Sequence, residues 1–147
     1  MGNETHSELL RALEAIDRGD FTVQIDESGS GEDGEIAAVV NKIAHRLNAL
    51  SRELIRVSQE IGTYGMFGGQ SEVDGLEGSW RDLESNFNLM AADLTLQIRE
   101  LASVSHDIVE GKPARQLHVT SQGETRALQE NLNLLFGQSP VDSMAGT

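Results

Sequence analysis

Cysteine is absent from the 147 residues, which excludes disulfides and thiolate chemistry. Lysine and arginine are scarce: 11 against 24 Asp and Glu, a formal net charge of −13. Phosphate binding needs clustered cations, so this balance argues against nucleic acid or anionic membrane as a main partner. No apolar run approaches the ~18 residues needed to span a bilayer; the longest runs from Ile36 to Val40. A basic segment leading into an apolar stretch is missing as well, so no secretory signal is read. Met1-Gly2 would suit N-myristoylation, but His6 stands where that motif wants Ser or Thr. A cytoplasmic chain without direct membrane insertion is expected.

Proline and glycine are missing from two long stretches, Glu35 to Ile61 and Ser79 to Glu110. Glycines crowd the intervals between them: Gly29, Gly31 and Gly34, then Gly62, Gly65, Gly68, Gly69, Gly75 and Gly78. This punctuation predicts two long helices joined by glycine-rich connectors. Shorter helices are predicted from Ser7 to Arg18 and from Glu124 to Phe136. Gly19, Gly65 and Gly111 lie 46 residues apart, twice over. Asn41, Asn88 and Asn133 keep that spacing to within one residue, each after a bulky apolar residue. The chain is one unit written three times, and a period of this size marks an array.

The long helices carry an unbroken four-three rhythm. In the first, Ile36, Val40, Ile43, Leu47, Leu50, Leu54, Val57 and Ile61 form the stripe. In the second it is Leu83, Phe87, Met90, Leu94, Gln97, Leu101, Val104 and Ile108, with one polar member. Leu128, Leu132 and Leu135 continue it in the last helix. A sustained 3.5-residue seam specifies a left-handed supercoiled bundle. Sixteen residues separate Gly19 from Ile36, more than the ~2–8 that join antiparallel helices. Such a connector, at ~3.3 Å per residue, can run back along a helix and start the next one parallel to it. Val23, Ile25, Val73, Leu76, Leu117 and Val119 are placed to pack back onto the pair. Two parallel helices bury too little alone, so a second copy closing a four-helix bundle is expected.

The second-helix starts carry a family pattern. In the first repeat it is Glu32-Asp33-Gly34-Glu35-Ile36, then Val40-Asn41-Lys42-Ile43; in the third it is Gly123-Glu124, Leu128, then Leu132-Asn133-Leu134-Leu135. The second keeps Leu83 and Phe87-Asn88-Leu89-Met90 but has Ser79 in the place of the Glu, and Arg81 and Arg126 replace the pattern's Gly. This resembles a run of three HAMP domains. Ile61 to Val73 and Gly78 to Leu83, with Asn86 to Asp93, are similar to the tandem HAMP arrays of hybrid histidine kinases and chemoreceptor-like signalling proteins. The resemblance implies an all-α fold of three stacked HAMP units, each a parallel four-helix coiled coil formed by a homodimer, joined by continuous helices. The units are expected at 7–51, 52–98 and 99–137, with 138–147 as a flexible tail that breaks the helix where an output domain would continue.

Function follows from the resemblance as an expectation: relay of a conformational change between a sensor and an output, in a two-component system. The partners implied are a second copy of the chain and a sensor or kinase. A static coiled-coil scaffold, a dimerisation adaptor for a separate kinase, and a fragment of a longer kinase or receptor are the alternatives. Glu32 and Glu124 are implied to tie the second helix to the first. A simpler role also fits them, since a carboxylate near a helix start is favoured by the dipole and the free N–H groups. Trp80, the only tryptophan, is expected to pack at the start of its helix in place of the missing tie.

No catalytic or cofactor chemistry is read. Ser105-His106-Asp107-Ile108 resembles a phosphoacceptor box, but Pro113 comes too late and no nucleotide-binding domain follows. His6, His45 and His118 lack metal-ligand spacing. The segment Gly65 to Gln70 lacks the Gly-Lys-Ser/Thr that completes a phosphate loop. Asp26, Glu27, Glu32, Asp33 and Glu35 lack calcium-loop spacing.

Overall fold

The computed structural model describes residues 2–112, 116–117 and 122–137. Four helices follow one another: α1 (Gly2–Asp17), α2 (Glu32–Gly62), α3 (Ser79–Val109) and α4 (Gly123–Gly137). No strand occurs among the described residues. The chain divides into two compact units, one up to Leu89 and one from Met90, with the boundary inside α3. Pro113, His118, Val119 and the segment 138–147 lie outside the described residues.

The four helices fall where glycine and proline are missing, but α1 and α2 start earlier than the sequence predicts. α1 begins at Gly2 rather than Ser7. α2 begins at Glu32 rather than Glu35, with Gly34 inside its first turn. The residue before it, Gly31, has φ 75° and gives no side-chain cap. Glu32, Asp33 and Glu35 crowd the first turn instead, where negative charge suits the helix dipole.

Gly34 is buried because the Gly29 carbonyl rests against it; a Cβ there would collide with that oxygen. The oxygen in conflict belongs to the backbone and not to the end of a flexible side chain. The sequence punctuation misplaced Gly34 in the connector because glycine here serves close approach rather than termination. Gly34→Ala is expected to lower stability by ~1–3 kcal/mol through overpacking. That outweighs the ~1 kcal/mol of helix propensity that alanine gains. A thermal melt reads the sign directly: a raised midpoint would show the contact to be unimportant.

In the first unit, α1 and α2 run side by side in the same direction. Thr5, His6 and Leu9 near the start of α1 share a crevice with Asp33, Ile36 and Ala37 near the start of α2. Phe21 to Gln24, just past α1, lie beside Asn41, His45 and Asn48. Ala12, Ile25, Ala37 and Val40 form the buried core here, with Leu9, Ile16 and Val23 against it. Alanines at the contact let the connector settle close to the helices, and Ile25 fills the space they leave.

The second connector runs back along α2. The Gln70 carbonyl meets Arg56, Glu72 to Asp74 lie beside Ala49, Arg52 and Glu53, and Gly75 reaches Arg46. Leu76 and Trp80 then border Ile43, Leu47 and Leu50. α3 therefore starts beside the middle of α2, and as far as Asn88 it runs in the same direction, since Asn88 holds Ser71 next to the Gln70 carbonyl that meets Arg56. Trp80 is about half exposed at this place. α2 thus packs on α1 through its first half, and beyond that it carries the second connector and the start of α3.

Two helix ends stop the same way, and a third also turns at a left-handed glycine. Gly19 donates to the Ile16 carbonyl and Asp20 to Ala15; Gly111 donates to Ile108 and Lys112 to Asp107. These paired bonds, with φ 84° at Gly19 and 68° at Gly111, are Schellman stops that satisfy the last carbonyls. At Gly65 (φ 64°) the stop is looser: Tyr64 donates to Gln59 and Met66 reaches back to Glu60. All three glycines adopt the left-handed backbone that other residues resist.

In the second unit, Gln97, Ile98 and Leu101 of α3 face Thr125, Leu128, Gln129 and Leu132 of α4 across an apolar groove floored by Leu117. Val104 is completely buried. Thr95 is buried on α3 and its hydroxyl donates to the Ala91 carbonyl at 2.7 Å, so it carries no unpaired polar atom.

Candidate functional site

The repeated asparagines fasten the connectors to the helices. Asn41 accepts from the Ile25 N–H and donates to the Ile25 carbonyl, both at 2.8 Å. Asn88 does the same to Ser71, at 2.7 and 2.8 Å. Asn133 accepts from the Leu117 N–H at 2.8 Å, and Gln129 donates to the Leu117 carbonyl at 2.7 Å. A carboxamide can do this because it offers a donor and an acceptor side by side, matching one peptide unit. The extended connector has no sheet partner, so each clamp satisfies backbone groups that would otherwise be buried unpaired.

Ile25, Ser71 and Leu117 are spaced 46 residues apart, as the stop glycines are, and all three are buried. The sequence reading found the asparagines but not what they hold. Its missed signal was the register itself: six residues after each stop glycine stands the clamped residue.

The second clamp differs from the others. Where Ile25 and Leu117 present apolar side chains, Ser71 donates its hydroxyl to Glu84 Oε1 at 2.8 Å. The same oxygen accepts from the Val73 N–H at 2.9 Å. Arg56 adds a third hold, donating to the Gln70 carbonyl at 2.7 Å while paired with Glu53 and Glu60. The hydrogen bond from Arg56 keeps the Glu53 carboxyl below its ordinary pKa, and the two carboxylates push that of Arg56 further up. Neither Glu84 nor Arg56 was singled out from the sequence, because both look like ordinary solvated charges on a helix.

The heptad residues fall into two groups. Val40, Leu50, Val57 and Val104 are buried, and Leu47, Leu54, Ile61, Phe87, Leu101 and Leu132 are half-buried. Ile36, Ile43, Leu83, Met90, Leu94, Ile108, Leu128 and Leu135 stay exposed, from 38 % at Ile108 to 65 % at Leu135. Small residues are buried as well: Ala12, Ala15, Ala37, Ala44 and Ala91, of which Ala12 and Ala37 join Val40 around Ile25 of the first connector. Glu32 and Glu124 lie exposed in the first turns of α2 and α4. His106 is exposed in the last turn of α3, its Nε2 3.2 Å from Glu110.

Residues 7–49 match the family model of the HAMP domain. The matched stretch holds α1 from Ser7, the first connector, and α2 as far as Ala49, so the whole first clamp lies within it. No solved structure matches the chain. A HAMP domain is a signalling linker and not a catalytic one. Residues 7–49 are thus similar to a helical signalling linker, and no described helix is long and apolar enough to cross a membrane.

Proposed function

We propose that the chain is an array of three HAMP units, at 7–51, 52–98 and 99–137, which relays a conformational signal between a sensor and an output as a parallel homodimer. The observation that carries this reading is the clamp, which recurs at the same register in all three repeats although the family match covers the first. The eight heptad residues left exposed support the dimer. Large side chains recurring at heptad positions are costly to leave in water, and a second copy presenting the same positions would bury them.

Relay would work through two packings of one bundle, close in free energy, with α2 and α3 each shared between neighbouring units. Glu32 and Glu124 would tie the helices at their first turns. A sensor or a kinase would supply the input or receive the output.

Sedimentation equilibrium tests the dimer first: the expected mass is twice 16.0 kDa. Single cysteines at Ile36, Ile43, Met90 and Leu135 then read the packing, since the chain has no cysteine of its own. Two distinct crosslinking patterns are expected, shifting together with conditions. A folded monomer would overturn the array, and one fixed pattern would turn the relay into a scaffold.

A further inference from the structure

The second connector is fastened by different chemistry from its neighbours. Ile25 is locked by its own side chain, seated among Ala12, Ala37 and Val40. To free it, that apolar surface must enter water, which is unfavourable whatever the salt or the charge nearby. Ser71 has no such anchor, and the apolar contact of its segment is limited to the half-buried Val73 near Ala49. Its hydroxyl, the Glu84 carboxylate, the Asn88 amide and the Arg56 guanidinium are all groups that water can satisfy once the connector lifts. Arg56 itself is held by two exposed ion pairs, which salt screens.

The boundaries of the polar stretch are also marked. Gly68 (φ 111°) precedes it and Gly75 (φ 74°) follows it, and both positions can swing without side-chain strain. Gly69 lies against the Glu60 carboxylate, so a Cβ there would make that side chain shift. Leu76, buried just past Gly75, keeps the rest of the connector in place.

We propose that residues 69–74 form a polar latch, hinged at Gly68 and Gly75, which lifts from α2 and α3 without unfolding the unit. The central repeat thereby has a connector-open state that the first repeat lacks. Opening exposes the α2 surface around Arg52, Glu53 and Arg56 and unties Asn88 and Glu84 on α3. This inference concerns one compact unit and holds whether or not the chain dimerises.

Native-state hydrogen exchange of the full chain tests it. Ile25 and Ser71 belong to the same compact unit, and each N–H is bonded to an asparagine, so global unfolding exposes both equally. The Ser71 and Val73 amides are expected to exchange at least ~10-fold faster than Ile25, by an opening insensitive to low denaturant. Raising salt to ~0.5 M should speed Ser71 and Val73 further and leave Ile25 unchanged. Glu84→Gln should widen the gap, while Ser71→Ile with Glu84→Leu should close it by installing an apolar plug. Equal protection of Ser71 and Ile25, or exchange that tracks global unfolding at both, would overturn the latch. So would a salt response shared by the two amides.

Discussion

Leu50→Ala is expected to cost ~2–5 kcal/mol of stability, the largest loss from any single truncation in the first unit. Leu50 is 4 % exposed and belongs to the heptad stripe of α2. Ile43, Leu47, Leu76 and Trp80 surround its end of the crevice, so the fold-back of the second connector depends on it. Its neighbours come from α2, the connector and the start of α3, and they cannot all collapse into the space together. The cavity term therefore adds to the lost transfer energy. Chemical denaturation measures the effect. The control is Ile55→Ala, since Ile55 is exposed on the same helix and should change little. Equal losses at the two sites would mean that the crevice is not a packed core.

Asn41→Ala should be nearly as damaging, by ~2–4 kcal/mol, although it removes no apolar surface. It strands the N–H and the carbonyl of Ile25 together, at ~1–3 kcal/mol for each unpaired group. Asn41→Asp distinguishes the clamp from a single hydrogen bond. Aspartate keeps the acceptor for the Ile25 N–H but loses the donor to the carbonyl. It also sets a negative charge where the amide nitrogen now meets Glu27 at 2.8 Å. Asn41→Asp is therefore expected to rescue little or nothing. Wild-type stability in that variant would show that one prong suffices.

These two sites show how legible the chain was. The heptad spacing placed Leu50 in a seam, and the structure finds it buried. The same spacing gave Met90 and Leu135 equal standing, yet both are exposed within the chain. Periodicity says which residues share a stripe and not which neighbour covers it. Asn41, Asn88 and Asn133 stood out by register alone. Their partners did not, because a hydrogen bond to backbone leaves no mark on the identity of the residue clamped. Ser71 could have been flagged as the polar member of an otherwise apolar series. Glu84 and Arg56 could not, since many charged residues on these helices have no such task.

The sequence by itself determined the four helices, the parallel run of α1 and α2 through a long connector, and the three-fold register of stop glycines and asparagines. Those features are local, or follow from spacing and chain reach, which any copy of the sequence carries. Only the tertiary structure decided which seam residues are covered within the chain, such as Val40 by Ile25 and Leu50 beside Leu76, and which, such as Met90 and Leu135, stay outside. It also decided that Gly34 would seat the Gly29 carbonyl, and that the second clamp would be polar. Each of these depends on which groups meet across more than a turn of chain, and packing in three dimensions settles that rather than propensity.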